Sequence, residues 1–473
     1  MRPRLAIFGA SGFIGNGLCH YMSPHYDTIA ITRSPHRAAL GSPGLDVVWR
    51  VSDFFRRPDL EKVLNGVDYA IYLAHTRVPT ARLDQARCED MDLLQAANFA
   101  RAAAVNKVRH IVYLGGMIPQ GNVSRTLLQS RNEVTEELAG SGIAVTTIRC
   151  SLIVGPGSSA ITLLEQVVRR APLLLVPMWA LGKKQPITLT DVMRAFHHCL
   201  GSEEMFGKSY DIGGPDIITL ADILEHGAHN HGRTSRVHVV KRFPKPLFKA
   251  FVRLLSPRTH PSLISIFTEA VKYDTLVSDN PLQRYLAEGA GTCFGYLANY
   301  LDADTGALPH SPRERSVISD KRDFERSSSV RSIQRVRLPA GTDPGWLAHH
   351  YFTWLGRAIR PLIRCRQEST GQWLITLRLF GITLLQLQHD EPVSTPDKQV
   401  YAIIGGLLSG TKAKTAARME FQAVSRGRFA IIAIHDFRPF LLWRLYRFTQ
   451  ATIHGWVMAA FQRHLRNGMV DER

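Results

Sequence analysis

The sequence lacks the long hydrophobic runs that a membrane-spanning protein needs. No stretch approaches the roughly 18 uncharged apolar residues that cross a bilayer. The N-terminus is basic, but the short apolar stretch behind it leads directly into a glycine motif, which is not the pattern of a signal peptide. These absences predict a cytoplasmic protein, with association at the periphery of the inner membrane left open.

Cysteine and acidic residues are also scarce. The six cysteines form no C-x-x-C pair and no zinc-ligand spacing, which predicts free thiols and no metal site. The 40 Asp and Glu stand against 58 Lys and Arg, a formal net charge of +18. This excess favours anionic partners such as a phosphorylated cofactor or an acidic membrane, although a basic surface without a specific partner explains it equally well. No zinc finger, helix-turn-helix or aromatic RNA-binding signature is present, which disfavours nucleic acid.

The first part of the chain alternates short β-rich runs with longer helical stretches. Strands separated by crossover helices predict an α/β fold with a doubly wound parallel Rossmann sheet. This domain is predicted over residues 1–286, with a small substrate-side subdomain where strand signals thin out. The predicted strands are Leu5–Phe8, Thr28–Thr32, Val47–Arg50, Tyr69–Leu73, His110–Leu114 and Ala144–Arg149.

A linker over residues 287–329 and a second domain over 330–467 are predicted next. Six strand-like runs followed by a helical pattern from Phe440 to Leu465 predict a C-terminal α+β domain, a largely antiparallel sheet closed by a long helix. The sheet and the helix together form a cup-shaped domain. If this cup is hollow, it is expected to hold an apolar small molecule; if side chains fill it, its polar residues have no role in ligand binding. The candidate anchors are Glu420, His435, Asp436 and Arg438.

The strongest motif is a glycine-rich turn between the first strand and the first helix. Glycine permits the tight turn and the close approach of a pyrophosphate to the backbone, and the helix N-terminus supplies free N–H groups and a positive dipole. Its position at the first strand-to-helix turn makes it specific for a dinucleotide. The predicted cofactor-binding residues are Gly9, Ala10, Ser11, Gly12, Phe13, Ile14 and Gly15.

The residues after the second strand indicate which dinucleotide binds. A carboxylate there would bind the ribose hydroxyls of NAD, whereas arginine pairs with the additional phosphate of NADP. Arg33, Ser34 and Arg37 follow this strand, and no carboxylate does. NADP(H) is therefore favoured over NAD(H).

Two further segments are predicted to contact the cofactor because they follow the third and fourth strands of the same sheet. They are Asp53 and Phe54, and Leu73, Ala74 and His75. For His75, a satisfied loop histidine is favoured over a role in proton transfer.

These residues resemble the extended short-chain dehydrogenase/reductase superfamily over roughly residues 3–286, in the atypical branch that includes NmrA-like redox sensors and nucleoside-diphosphate-sugar epimerase-like proteins. The resemblance implies an NAD(P)-binding fold and a substrate cleft lined by Pro177–Trp179 and Gln185–Ile187; for Trp179, core packing is an equal alternative. Residues 330–467 resemble the helix-grip fold of START and polyketide-cyclase proteins.

The resemblance breaks at the catalytic positions. Active family members use a Tyr-x-x-x-Lys pair, with Ser or Thr at the end of the fifth strand. Here Gly115 takes the place of the hydroxyl residue, Leu127 that of tyrosine and Arg131 that of lysine. Leucine carries no proton and arginine keeps its own, so the catalytic residues are unknown. Arg131 is predicted to hold cofactor phosphate or ribose, or to pair with Glu133 or Glu136.

Two functions remain open at this point. One is an NADP(H)-dependent oxidoreductase acting on an apolar or lipid-like substrate. The other is a non-catalytic NADP(H)-binding redox sensor or scaffold.

Overall fold

The computed structural model describes residues 2–76, 83–119, 128–233, 236–257, 259–296, 330–409, 417–439 and 449–468. By its internal contacts the chain divides into two compact units. The N-terminal unit comprises Met1–Arg77 and Asn98–Ser316, and the C-terminal unit comprises Val78–Ala97 and Val317–Arg473.

The strands and helices are numbered in chain order. The strands are β1 (Arg4–Phe8), β2 (Asp27–Thr32), β3 (Val47–Val51), β4 (Tyr69–Tyr72), β5 (Leu83–Ala86), β6 (His110–Gly116), β7 (Ala144–Cys150), β8 (Ile153–Val154), β9 (Leu174–Pro177), β10 (Ile187–Thr188), β11 (Ser209–Ile212), β12 (Val237–Val240), β13 (Val330–Arg337), β14 (Ile363–Gln367), β15 (Trp373–Leu377), β16 (Ile382–His389), β17 (Lys398–Gly405), β18 (Arg418–Val424) and β19 (Phe429–Phe437). The helices are α1 (Phe13–Met22), α2 (Pro35–Leu40), α3 (Arg57–Leu64), α4 (Cys88–Val105), α5 (Leu128–Ala139), α6 (Ser159–Arg170), α7 (Leu189–Cys199), α8 (Leu220–Asn230), α9 (Lys245–Leu255), α10 (Pro261–Ala270), α11 (Pro281–Ala287), α12 (Pro344–Ala358) and α13 (Gln450–Gly468).

The N-terminal unit is built on a seven-stranded sheet in the order β11-β7-β6-β4-β1-β2-β3. All six strand pairs are parallel. Residues Leu5–Phe8 of β1 are fully buried, as expected for a central strand covered by helices on both faces. The predicted doubly wound Rossmann sheet is confirmed. The strand order reverses between β1 and β4, and ligands of such sheets bind at this switch point.

A second core in the N-terminal unit lies beyond β7. It is formed mainly by α6, α8, α9 and α10 with the parallel pair β9–β12. In α9, Phe248 and Val252 are buried within it, whereas Leu254 is 77% exposed. The sequence pattern of Pro244–Pro261 is amphipathic, which favours packing on its own domain over closing a cleft or touching a membrane surface. Helix α9 packs in the favoured way.

The C-terminal unit contains an eight-stranded sheet in the order β14-β15-β16-β17-β18-β19-β13-β5. Its pairs are antiparallel except β13–β5, which is parallel. Helices α12 and α13 pack against this mixed sheet around a shared apolar core. The predicted separate α+β domain is confirmed.

Aromatic side chains occupy the space between these helices and the sheet. The Phe352 ring lies 4.9 Å from Trp373 and 5.9 Å from Phe421, and Phe461 lies 5.1 Å from Tyr351. Such packing corresponds to the filled version of the predicted cup.

Two details differ from the sequence prediction. The division by contacts places residues 78–97 with the C-terminal unit, because β5 pairs with β13, while residues 287–296 belong to the N-terminal unit. The sequence pattern of the final helix predicts one apolar stripe that contains Trp456 and Phe461. In the structure Met458 and Phe461 are buried, whereas Trp456 is 70% exposed and lies off that stripe. Most of the predicted linker (297–329) and residues 440–448 lie outside the described residues. Among the described residues, no helix has the length and hydropathy to cross a bilayer.

Candidate functional site at the carboxyl edge of the Rossmann sheet

The glycine turn lies at the carboxyl edge of the sheet, between β2 and β4. Gly9 has φ +84°, a left-handed conformation that disfavours any residue with a side chain. The amides of Gly9 and Ala10 both donate to the Ile31 carbonyl oxygen, at 3.2 and 3.3 Å. These two amides therefore fix the turn to β2 and do not face a ligand.

The other two glycines of the turn have different roles. A Cβ on Gly15 would lie 2.4 Å from the Gly9 oxygen and 2.6 Å from the Ala10 Cα, so only glycine lets α1 approach the turn this closely. A Cβ on Gly12 would meet only the Gly9 oxygen, at 3.2 Å. The space above Gly12 is thus open on its remaining sides, as close approach of a pyrophosphate requires.

The N-terminus of α1 leaves amide donors for an anion. Gly12 precedes the helix and provides no side-chain cap. The first-turn amides of a helix have no intrahelical acceptor, which leaves those of Phe13 and Ile14 for a ligand. The residues at this turn fit the pyrophosphate of a dinucleotide.

The end of β2 lies beside the glycine turn. Thr32 Oγ1 donates to Ser11 Oγ at 3.1 Å, a hydroxyl pair that sequence reasoning did not assign. Ser34 caps α2 by accepting from the Arg37 amide at 3.3 Å. Arg33 is half-buried and Arg37 is only 8% exposed. Between Asp27 and Asp46 the chain has no carboxylate side chain, so the charged residues that directly follow β2 are cationic.

The predicted residues after β3 and β4 lie on the same edge. The Ser52 amide donates to the Thr32 oxygen at 3.0 Å, and the Leu73 amide donates to the Phe8 oxygen at 3.0 Å. The Asp53 carboxylate accepts from the Phe55 amide at 3.1 Å, which stabilises its own turn. Phe54 is buried, with its ring 5.4 Å from that of Phe8. This burial favours packing for its side chain over contact with a ligand.

His75 is exposed and its Nδ1 lies 3.0 Å from the Leu73 carbonyl oxygen. This local hydrogen bond is the loop arrangement that the sequence favoured over proton transfer. Leu73 also approaches the turn itself, because a Cβ on Gly9 would lie 3.3 Å from its backbone.

Arg131 lies beside the end of β6, where Gly115 and Gly116 stand. A Cβ on Gly116 would lie 3.0 Å from Arg131 Cδ, so this glycine makes room for the arginine. Within α5, Glu137 lies 3.5 Å from Arg101. In the described part of the chain Arg131 forms no ion pair of its own. Leu127, the residue at the tyrosine position, lies outside the described residues.

A cavity of about 300 Å³ opens beyond the ends of β6 and β7. Its walls are mostly apolar and come from α6, α8 and α10, with Leu163, Ile223 and Phe267 among them. Gly116 and Arg131 line the same cavity. It therefore lies at the carboxyl edge, where ligands of parallel α/β sheets bind.

Lys184 lines this cavity and was missed by sequence reasoning. It is only 8% exposed, and its Nζ donates to the Tyr273 carbonyl oxygen. Burial lowers the pKa of Lys184 to about 8, against a smaller opposing effect of Asp274. Lys184 directly follows Lys183, and nothing in this sequence pattern indicates that Lys184 is buried. The fold reveals it, because backbone bonds with Ile218 at 2.7 and 2.9 Å fix the segment beneath the cavity.

Cys150 also lines the cavity but is not suited to act as a nucleophile. Burial raises the pKa of its thiol to about 12, with a smaller opposing effect of Arg131. The thiol is therefore protonated at neutral pH and behaves as a small apolar wall residue.

The two segments predicted to line the substrate cleft, Pro177–Trp179 and Gln185–Ile187, contain side chains that stabilise the fold. Trp179 Nε1 donates to the Phe243 oxygen at 2.7 Å, and its ring packs edge-on against Phe248. The Gln185 side chain donates through Nε2 to the Gly214 oxygen at 2.8 Å, and its Oε1 accepts from the Val277 amide at 3.0 Å. The packing alternative for Trp179 is thereby supported.

The candidate anchors of the C-terminal unit form a buried charge network. Glu420 accepts from Arg418 Nε at 2.6 Å and pairs with Lys398 at 3.0 Å, and Arg418 also reaches Asp436 at 3.0 Å. His435 Nε2 lies 3.7 Å from Glu420. Residues alternate faces along a strand, so Glu420 points away from the aromatic core that contains Phe421. The network does not face the predicted cup, and Arg438 is exposed outside it.

Residues 5–213 match the model of the NAD dependent epimerase/dehydratase family. The matched residues run from β1 to the end of β11, the strands of the Rossmann sheet.

Individual relatives are more distant. The auxiliary protein GraX of Staphylococcus aureus (strain NCTC 8325 / PS 47) is 26% identical over 147 residues, which are 31% of this chain and 44% of GraX. The chain thus matches less than half of that relative's length.

Two solved structures are similar to 63% of this chain. Triphenylmethane reductase of Citrobacter sp. is 18% identical, with 99% of its chain covered and a TM-score of 0.50. NADPH-dependent quinone oxidoreductase QOR2 of Escherichia coli, in complex with NADPH, is 19% identical, with 98% covered and a TM-score of 0.50. At these identities the likeness shows the fold.

Proposed function

We propose that the N-terminal unit binds NADP(H) and uses it to reduce an apolar substrate in the cavity beyond β6 and β7. The observation that carries the proposal is the glycine turn at the switch point, with the guanidinium groups of Arg33 and Arg37 at the end of the neighbouring strand. The family match and the NADPH complex of the similar quinone oxidoreductase support it.

The residues of this chain have separate tasks in the proposal. The amides of Phe13 and Ile14 bind the pyrophosphate, and Arg33 with Ser34 binds the additional phosphate of NADP. When bound, NADPH supplies two electrons as hydride. The apolar walls around Leu163 and Phe267 hold the substrate and exclude water from it. Arg131, at the family's lysine position, contacts the cofactor ribose or phosphate.

A second candidate function is a non-catalytic NADP(H)-binding sensor of the NmrA-like type. Gly115 favours it, because glycine at the end of β6 provides no hydroxyl to the reacting atoms. A turnover screen with purified protein, NADPH and a set of quinone and dye acceptors separates the candidates. Steady NADPH oxidation above the protein-free rate would exclude the sensor, and NADPH binding without turnover of any acceptor would favour it.

Arg33→Asp tests the cofactor assignment. We expect NADPH affinity to fall by at least about tenfold, because a charge-assisted hydrogen bond to phosphate is lost and repulsion is added. NADH affinity is expected to remain within about twofold, since NADH lacks that phosphate. Both affinities are measured by calorimetric titration.

Arg253→Asp is the matched control, because Arg253 is exposed on α9 and carries the same change of charge. If Arg33→Asp and Arg253→Asp bind NADPH equally well, the phosphate assignment is wrong. If the unsubstituted protein binds neither dinucleotide at micromolar concentrations, the whole proposal is wrong.

For the C-terminal unit, the antiparallel sheet packed against α13 supports the helix-grip resemblance, which we retain as a proposal. The aromatic filling of its core argues against a large ligand cavity between α12, α13 and the sheet.

A further inference from the structure

The cavity beyond β6 and β7 has more positive charge than its walls neutralise. Three charged side chains line it: Arg131, Lys184 and Glu269. Glu269 is already paired, since both of its carboxylate oxygens accept from Lys245 Nζ, at 3.1 and 3.3 Å. The remaining two side chains, Arg131 and Lys184, are both cations.

Neither cation has a carboxylate within hydrogen-bonding distance in the described part of the chain. Lys184 uses one of its three donors on the Tyr273 oxygen, and the guanidinium of Arg131 packs on Gly116. Asp274 is the acidic residue whose charge raises the pKa of Lys184. Its Oδ1 accepts a hydrogen bond from the Lys183 amide at 2.7 Å. Because an unpaired charge in an apolar cavity is costly, the arrangement favours an acceptor brought by a ligand.

We propose that this cavity binds an apolar molecule with one anionic oxygen group, a carboxylate or an enolate, and that Lys184 and Arg131 hold that group while the hydrocarbon lies against α6, α8 and α10. The proposal names the substrate class of the proposed function and rests on that function only in taking the bound molecule to be the one reduced. Binding itself needs no cofactor.

Uncharged hydroxyls complete the polar end of the cavity. Ser151 Oγ and Thr275 Oγ1 lie 2.7 Å apart, and both residues line it. The rest of the lining includes Leu163, Leu164 and Ile266, which offer no hydrogen bonds. A ligand with a single polar end and an apolar body matches this division, because each part meets its own kind of surface.

The test uses decanoate and decanol, which have the same hydrocarbon body and different head groups, with the full-length protein. We expect decanoate to bind at least about tenfold more tightly than decanol, as a charge-assisted hydrogen bond provides. Lys184→Met should lower the affinity for decanoate by at least about tenfold and leave the affinity for decanol nearly unchanged. Lys184→Arg, which keeps the charge, should retain most of the preference for decanoate.

Lys183→Met is the matched control, because Lys183 is the exposed neighbour of Lys184 and does not line the cavity. It should bind both compounds like the unsubstituted protein. Arg131→Met is measured with decanoate and with NADPH in separate titrations, which shows whether Arg131 serves the cavity, the cofactor or both.

Decanoate affinity should also depend on pH. The Lys184 ammonium is charged below its pKa of about 8, so affinity should be constant near pH 7 and should fall as the pH is raised above about 8. The other charged groups near the cavity are Arg131, Glu269 with Lys245, Asp274, Lys183 and Lys272. Lys184→Met should remove the fall.

Equal affinities for decanoate and decanol, or unchanged decanoate binding in a folded Lys184→Met, would overturn the proposal. Circular dichroism establishes the folded state of each variant, and Lys184→Arg serves as the probe if Lys184→Met does not fold. If decanoate binds through Lys184 while NADPH does not bind, the cavity inference stands and the proposed function fails.

Discussion

At the scale of single residues, the glycine turn shows what sequence can and cannot reveal. Its position after a buried strand predicted the turn, because the requirement for glycine is local. Lys184 was not predictable, because its burial arises from Tyr273 and Ile218, which are remote in sequence. Arg131 lies between these cases: its place in α5 came from the family pattern, whereas its exposure to the cavity required the fold.

Within the glycine turn, the closest backbone approach is at Gly15. Gly15→Ala would place a methyl group 2.4 Å from the Gly9 oxygen, which is backbone and has little freedom to move. We expect a loss of about 1–3 kcal/mol in the free energy of unfolding, from overpacking, and a loss of NADPH binding as the turn shifts. Urea unfolding and calorimetric titration measure the two effects.

Gly17→Ala in the same helix is the matched control for this substitution. Its added Cβ would meet the ends of flexible side chains, Leu189 Cδ2 at 3.1 Å and Met193 Sδ at 3.2 Å. A change below about 1 kcal/mol is expected, since alanine also favours the helix. Equal stability and equal NADPH affinity for both variants would show that the turn tolerates a side chain at position 15.

At the scale of helices and strands, regular elements were predictable and short or remote ones were not. Strands such as β6 and β7 have long apolar or β-branched runs, and their predicted bounds agree with the structure within two residues. Strand β5 has only Leu-Asp-Gln-Ala, and it pairs with a strand more than 240 residues away, which no local pattern records. Helix α12 was missed although Asp343 caps it and Pro344 begins it, which is a recognised start signal.

The charge network of β17, β18 and β19 leads to a pH-dependent prediction for the C-terminal unit. Burial alone would raise the pKa of Glu420, but Lys398 and Arg418 outweigh it and hold the pKa below its ordinary value. A carboxyl group with a lowered pKa stabilises the fold above its unfolded pKa and loses that effect as the pH falls. Glu420→Gln should therefore cost about 3–5 kcal/mol at pH 7, because buried cations lose their partner, and less near pH 3.

Tryptophan fluorescence during urea unfolding measures this effect, since five of the seven tryptophans follow residue 340 (Trp346, Trp354, Trp373, Trp443 and Trp456). Glu391→Gln is the control, because Glu391 is exposed. A cost for Glu420→Gln that does not change between pH 7 and pH 3 would mean that the network does not act through the charge of Glu420.

At the scale of the whole molecule, the order of the chain and the division into units do not coincide. The sequence suggested contiguous domains, because the alternation of strand and helix patterns gives way, after about residue 300, to a series of strand-like runs. Strand pairing decides the units in space, and residues 78–97 belong with the C-terminal unit. There, Gln334 Nε2 donates to the Gln85 oxygen at 2.8 Å, and Arg335 pairs with Asp90 at 2.7 Å. A domain boundary drawn from sequence alone would separate these partners.

A fragment experiment tests this division. Residues 317–473 alone lack β5 and expose the edge of β13, which is expected to lower the unfolding midpoint and to promote association through the unpaired strand. Joining residues 78–97 ahead of residue 317 through a glycine-serine linker should restore a monomer, because it returns the β5–β13 ladder and the partner of Arg335. A third fragment, with residues 83–86 replaced by glycine and serine, keeps the length but not the strand and should behave like the first. Equal stability and equal association state for all three fragments, in thermal unfolding and size-exclusion chromatography, would show that the C-terminal unit folds without a strand from the N-terminal half of the chain.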